Sequence, residues 1–255
     1  MQAAYPMYNQ VETQTWVNHW WQALCAELQS RGLQAPAELT QPQDYYQHWQ
    51  DQDLLLSQTC GYPLTHHLAG KVQYLITPCY DTPYNKGAYY CSLLIVQASN
   101  SAQTFADLQG MSFTYNSLDS QSGYNCLYPL LAEQGTPAHQ NFFGTMQASG
   151  GHRQSLAMVQ SGQTQTCAID SVTFALLAKH APATVAGLRV VTTTTPLVPG
   201  LPLITSLATS AETAKQLCQA IMQVQQDPAM QDCLQQLLIK DWQVLELADY
   251  DVLKR

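Results

Sequence analysis

The sequence predicts an α/β fold built in two lobes, and three observations predict it. Short apolar runs of strand character alternate with longer amphipathic runs from one end to the other, with no internal repeat or low-complexity linker. The longer runs carry apolar residues three and four apart, the spacing of one helix face. A chain of 255 residues is also long enough for two cores of roughly 100–150 residues each.

Taken in order, the first strand is expected over residues 3–8. A helix follows over 13–31, with Trp16, Trp20, Leu24 and Leu28 as its buried stripe and Gly32 as its stop. A short strand at 37–39 leads to a helix opened by Pro42. Leu54, Leu55 and Leu56 mark a buried strand at 53–57, which ends in a loop from Thr59 to Pro63. Strands are expected at 72–78 and 88–98. From Phe105 a second series begins, with strands near 111–115, 142–146 and 166–170, each followed by a helix. A strand at 189–195 and the stretch Pro196–Gly200 lead back to helices at 210–225 and 229–239. The block 99–195 therefore reads as one lobe inserted into another made of 1–98 and 196–255. Open α/β sheets place a ligand at the C-terminal ends of their strands, so the expected site is a cleft between the lobes.

Charged residues are 11% of the chain, against roughly 25% in an average domain, and 18 Asp+Glu outweigh 10 Lys+Arg for a net charge of −8. Nucleic acids and anionic membranes need a basic face, so neither is an expected partner. No apolar run approaches the ~20 residues that span a bilayer, so no membrane insertion is expected. The opening MQAAYPMYNQVETQ has neither a basic n-region nor an apolar h-region. No signal peptide is visible, which leaves a mature secreted form or a cytoplasmic protein open. The eight cysteines are dispersed without a CxxC pair or metal-ligand spacing, so no metal and no cofactor is expected.

The stretch carrying most chemistry is Asp119-Ser120-Gln121-Ser122-Gly123-Tyr124-Asn125, after the strand ending at Tyr115 and reading directly into a helix marked by Leu127, Leu130 and Leu131. The first N–H groups of a helix have no partner within it and sit at the positive end of the peptide dipoles. Serines and a glycine there leave the N–H groups open and add hydroxyl donors, a place able to hold a phosphate-like anion without lysine or arginine. A serine that merely caps the helix, worth about 1 kcal/mol, would account for the same residues.

With its pieces ordered, the chain resembles the phosphonate, phosphite and phosphate substrate-binding proteins of ABC transporters over nearly its whole length. The resemblance rests on "YPMYN" at the start, "TCGYPL" at 59–64, "GAYYCSLLIV" at 87–96 and "FADLQGMSFTYNSLDSQSGYN" at 105–125. It continues through "GGHRQSLAMVQSG" at 150–162, "CAIDSVTFALL" at 167–177 and "TTPLVPGLPLI" at 194–204. It implies a type 2 periplasmic-binding-protein clamshell, each lobe a mixed sheet flanked by helices, that binds and does not catalyse.

The resemblance also implies site residues. The family's Ser-x-Ser loop maps onto Ser120, Gln121 and Ser122, with Gln121 a departure from the frequent threonine, and Gly123 would let the backbone approach the ligand. His152, opening the next helix, would contact the anion, where contact favours the imidazolium, or serve as a capping or surface histidine. Tyr90 would reach the ligand from the strand entering the hinge, with Tyr89 on the opposite face, and Tyr62 would add an aromatic contact; both could instead be core or turn residues. Asp170 would meet a ligand hydroxyl or amine, or cap a helix. The Pro199-Gly200-Leu201-Pro202 loop carries Leu201 where proteins tuned to aminoalkylphosphonates have an acid, which argues for a smaller or uncharged-tailed oxyanion.

The expected function is thus a solute-binding protein, a monomer that passes a small oxyanion to an ABC permease, periplasmic by resemblance. A cytoplasmic ligand sensor of the same fold, or an enzyme built on it around Cys60, His66 and His67, are the alternatives.

Overall fold

The computed structural model describes residues 1–136 and 138–254, and its chain divides into two compact units. The first comprises Met1–Asp81, Lys86–Ala88 and the chain from Pro199 onward; the second comprises Thr82–Asn85 and Tyr89–Val198.

The first unit begins with β1 (Gln2–Ala4), α1 (Gln14–Ser30), α2 (Tyr45–Trp49), β2 (Leu54–Gln58), α3 (Gly61–His66) and β3 (Val72–Tyr80). The second contains β4 (Tyr89–Tyr90), β5 (Ser92–Gln97), β6 (Phe113–Tyr115), α4 (Tyr128–Glu133), α5 (His139–Phe142), β7 (Met146–Ala148), α6 (His152–Gln160), β8 (Thr166–Asp170), α7 (Ser171–His180) and β9 (Leu188–Thr193). After β10 (Val198–Pro199) the chain completes the first unit with β11 (Leu203–Ser206), α8 (Ala211–Gln226), α9 (Gln231–Gln236) and β12 (Ile239–Gln243).

The first unit's sheet runs β1-β2-β11-β3-β12, with β1 parallel to β2 and β11 and β12 antiparallel to their neighbours. Helix α1 buries Trp20, Leu24 and Leu28 of its expected stripe, while Trp16 is half-buried and Val17 is buried beside it, and the Trp20 ring stacks on Trp242 of β12 at 5.8 Å.

The second unit's sheet runs β7-β6-β8-β5-β9, parallel across β7, β6 and β8 and antiparallel across β5 and its neighbours. Both faces are covered. Leu94, Val96, Phe113 and Ala168 pack into one apolar cluster, and Leu93, Ile95, Cys167 and Ile169 into another. That is why β5 reads as the unbroken run Leu93–Val96 rather than as an alternation.

The second unit takes in Thr82–Asn85 and runs continuously from Tyr89, with β5 hydrogen-bonded to β8 and β9. Several expectations are corrected. No strand forms at 37–39; that segment is tied down by Thr40 N–H donating to Ala3 O at 2.7 Å. The helix assigned to Pro42 starts at Tyr45, capped by the Asp44 carboxylate accepting the Gln47 N–H. Residues 139–142 are helical, with the strand following at Met146. The segment at 59–63 turns into α3, and β12 lies where helix was expected to end.

Candidate functional site

Strands β6, β7 and β8 run parallel, so their carboxyl ends at Tyr115, Ala148 and Asp170 come together on one edge of the sheet. The loops leaving the first two are joined. Ser149 N–H donates to Tyr115 O at 2.8 Å and Gly150 N–H to Asn116 O at 3.1 Å. Gly150 takes φ +84°, the left-handed turn conformation suited to glycine. Ser149 Oγ lies 2.7 Å from Ser155 Oγ, which fixes the first turn of α6. His152, the first residue of that helix, is thereby set against the loop that follows β6.

That loop is wound by its own hydrogen bonds. Ser120 Oγ accepts the Gly123 N–H at 3.0 Å, Ser120 O accepts the Asn125 N–H at 3.0 Å, and Gln121 O accepts the Cys126 N–H at 2.7 Å. The Asn125 amide braces it further by donating to Leu118 O and Ser120 O. Ser120, Gln121 and Ser122 are all buried. Among the described residues, the N–H groups of Gln121, Ser122 and Tyr124 find no acceptor. Gln121 and Ser122 are buried and Tyr124 half-buried, and open amides in such a loop call for a partner.

The expected direct entry into a helix is not found. Turns and a tight 3-10 turn at Asn125–Leu127 intervene, and α4 starts only at Tyr128, with Pro129 accommodated in its first turn. The donors belong to a coiled loop rather than to the mouth of a long helix.

Three strand ends converge on His152. Ser122 Oγ lies 3.0 Å from Nε2, and Asp170 Oδ2 lies 3.4 Å from the same nitrogen. The second Asp170 oxygen, Oδ1, accepts the Thr173 N–H at 2.7 Å and so caps α7. Asp170 thus caps a helix, one of the two roles left open, and its other oxygen faces His152. Burial pushes the His152 imidazole below its ordinary value, against the smaller upward pull of Asp170. The imidazole is therefore neutral at neutral pH, and its Nδ1 is buried without a partner.

Gly123 has a steric reason. A Cβ there would lie 1.8 Å from Asn116 Oδ1 and 3.3 Å from His152 Cε1. The missing side chain lets Asn116, His152 and the loop backbone share one small volume. Asn116 was not singled out from sequence. Its Oδ1 is buried and has no partner, and its place directly after β6, at a strand end, is the signal that could have found it.

The remaining candidates are placed as follows. Tyr90 on β4 is buried and Tyr89 half-buried, as alternation along a strand requires. Tyr62 belongs to the first unit, in α3, with its ring stacked on His66 at 3.8 Å. Tyr124 stacks on His139 at 4.0 Å, and Arg153 donates to Thr184 Oγ1 at 3.3 Å. Leu201 is buried. Among the described residues no cluster of His, Cys, Asp and Glu could hold a metal ion, and no helix is long and apolar enough to cross a membrane.

A family model described as "ABC transporter, phosphonate, periplasmic substrate-binding protein" matches residues 4–250. The chain belongs to that family. It is a transporter's substrate-binding component, with a small-molecule ligand and an ABC permease as its partners, and the family's compartment is the periplasm. The same fold recurs in solved structures. PhnD1 from Prochlorococcus marinus in complex with methylphosphonate is 16% identical, with a TM-score of 0.78 over 99% of this chain and 95% of that one. The binding component of a Pseudomonas aeruginosa phosphonate transporter is 16% identical, with a TM-score of 0.77 over 98% and 82%. A Xanthomonas citri protein bound to ATP is 14% identical, with a TM-score of 0.70 over 99% and 98%. These likenesses establish the type 2 periplasmic-binding-protein fold. No curated protein matches in sequence.

Proposed function

We propose that this substrate-binding protein captures a small phosphorus oxyanion, of the phosphonate, phosphite or phosphate class, on the loop Ser120–Gly123 and His152. The carrying observation is the open amides of Gln121, Ser122 and Tyr124 beside the Ser122–His152 pair. Converging N–H and O–H donors bind an anion at contact distance although the chain carries a net charge of −8, because that charge is diffuse and the donors are local. Ser120 Oγ accepts from Gly123, so its own proton remains to be given. Tyr90 is the proposed aromatic contact in the same unit. Leu201 offers no carboxylate to an ammonium, which favours a ligand without an amine. The protein acts as a monomer in this reading.

Following the melting temperature against a panel of oxyanions tests the reading, since a ligand at 100 times its Kd adds about 2.7 kcal/mol. Methylphosphonate, phosphite or phosphate should stabilise the protein. Ser122→Ala and His152→Ala should remove that stabilisation while leaving a cooperative unfolding transition. No response to any of the three oxyanions would refute the assignment, and sedimentation with and without ligand checks the monomer.

A further inference from the structure

The loop's open amides are donors, yet two buried atoms next to them are acceptors. Asn116 Oδ1 has no partner, and neither does His152 Nδ1. Both side chains crowd the same point, the position a Cβ on Gly123 would take. With the Nε2 proton directed at the Asp170 carboxylate or shared with Ser122, Nδ1 of the neutral ring is a lone pair. The charged group facing this imidazole is Asp170, from the end of β8. On α6 itself Arg153 turns to Thr184, and β5 and β6 present Leu93, Ile95 and Thr114 to the helix. Among the described residues the one cation beside the imidazole, Arg153, is hydrogen-bonded to Thr184, and the ion-pair partner of His152 is the carboxylate of Asp170.

We infer that the site takes its oxyanion together with one proton, as a monoanion bearing a P–OH group or as a dianion that brings a proton from solvent. The proton lies between a ligand oxygen and the two acceptors, while the remaining oxygens take the loop's N–H and O–H groups. This rests on the anion reading above and narrows it. Phosphonates, phosphite and phosphate can carry that proton; sulfonates and sulfate cannot, and would set a bare oxygen against the acceptors. Rejection then comes from unpaired buried groups and not from shape.

Titration calorimetry with methylphosphonate, in buffers of different ionisation enthalpy from pH 6 to 9, counts protons taken up with the ligand. Above the second pKa of methylphosphonate, uptake should approach one proton, and Kd should rise tenfold per pH unit. Methanesulfonate, of similar shape but without a proton, should bind at least tenfold more weakly at pH 6.5 and with no proton uptake. His152→Phe should reduce both the affinity and the uptake. Binding of methylphosphonate with a pH-independent Kd and no uptake would overturn this inference and leave the anion site standing. Absence of binding by methylphosphonate, phosphite and phosphate at every pH would overturn the anion site itself.

Discussion

Replacing Gly123 by alanine probes the crowded point in the site directly. The new Cβ would stand 1.8 Å from Asn116 Oδ1, far inside contact distance, and 3.3 Å from His152 Cε1, where a shift of a few tenths of an ångström suffices. Asn116 must therefore leave. Overpacking of this kind costs about 1–3 kcal/mol. At about 2–4 °C per kcal/mol for a chain of this size, Tm should fall by about 2–12 °C. Because Asn116 Oδ1 has no hydrogen bond to lose, Asn116→Ala alone should cost under about 1 kcal/mol. In the double variant the obstruction is gone, and stability should return close to that of Asn116→Ala, a coupling of about 1–3 kcal/mol. Thermal and urea unfolding of the four proteins measures this cycle. If Gly123→Ala melts with the parent, or if Asn116→Ala brings no relief, the packing argument for this glycine is wrong.

Asp170→Ala removes the Thr173 cap and should destabilise by about 1 kcal/mol in urea unfolding, whereas Asp170→Asn, which keeps an acceptor, should cost only a few tenths. Burial lowers the pKa of His48, His139 and His152 alike. The unfolded chain therefore binds protons first on acidification, so stability should be full above about pH 6.5 and decline below it. His139→Gln should lose less stability between pH 7 and pH 5 than the parent, which melting curves across that range will show. Burial pushes the Cys79 thiol up to about 12 and those of Cys91, Cys218 and Cys233 to about 11. A disulfide reagent at pH 8 should leave these thiols unmodified in the native protein and modify them in denaturant.

Elements whose residues are buried by regular packing were legible in the sequence. The stripe of α1 and the unbroken run of β5 follow from burial on one face and on two faces respectively. Where tertiary packing overrides local pattern, reading failed. Phe142 and Phe143 suggest a strand, but their rings pack on Phe105 and Phe113 at 4.6 Å and 4.4 Å from a short helical turn. In β12 only Ile239 and Trp242 are buried, which leaves no alternation to read.

The site divides along the same line. The Ser-x-Ser-Gly loop stands out because its residue types announce donors, and His152 stands out through the family resemblance. Their partnership with Asp170 depends on the sheet order β7-β6-β8, which brings together strand ends lying 22 to 55 residues apart in sequence. Spacing along the chain carries no trace of that order. Asn116 is hidden for another reason: a single asparagine after a strand has many uses, and only the missing Cβ of Gly123 gives it this one. That distribution fits the proposed site, whose named residues include no lysine or arginine. A formal charge would attract any anion of the right sign, whereas donors and acceptors fixed at separate strand ends select for the places where a ligand carries oxygen lone pairs and where it carries a proton.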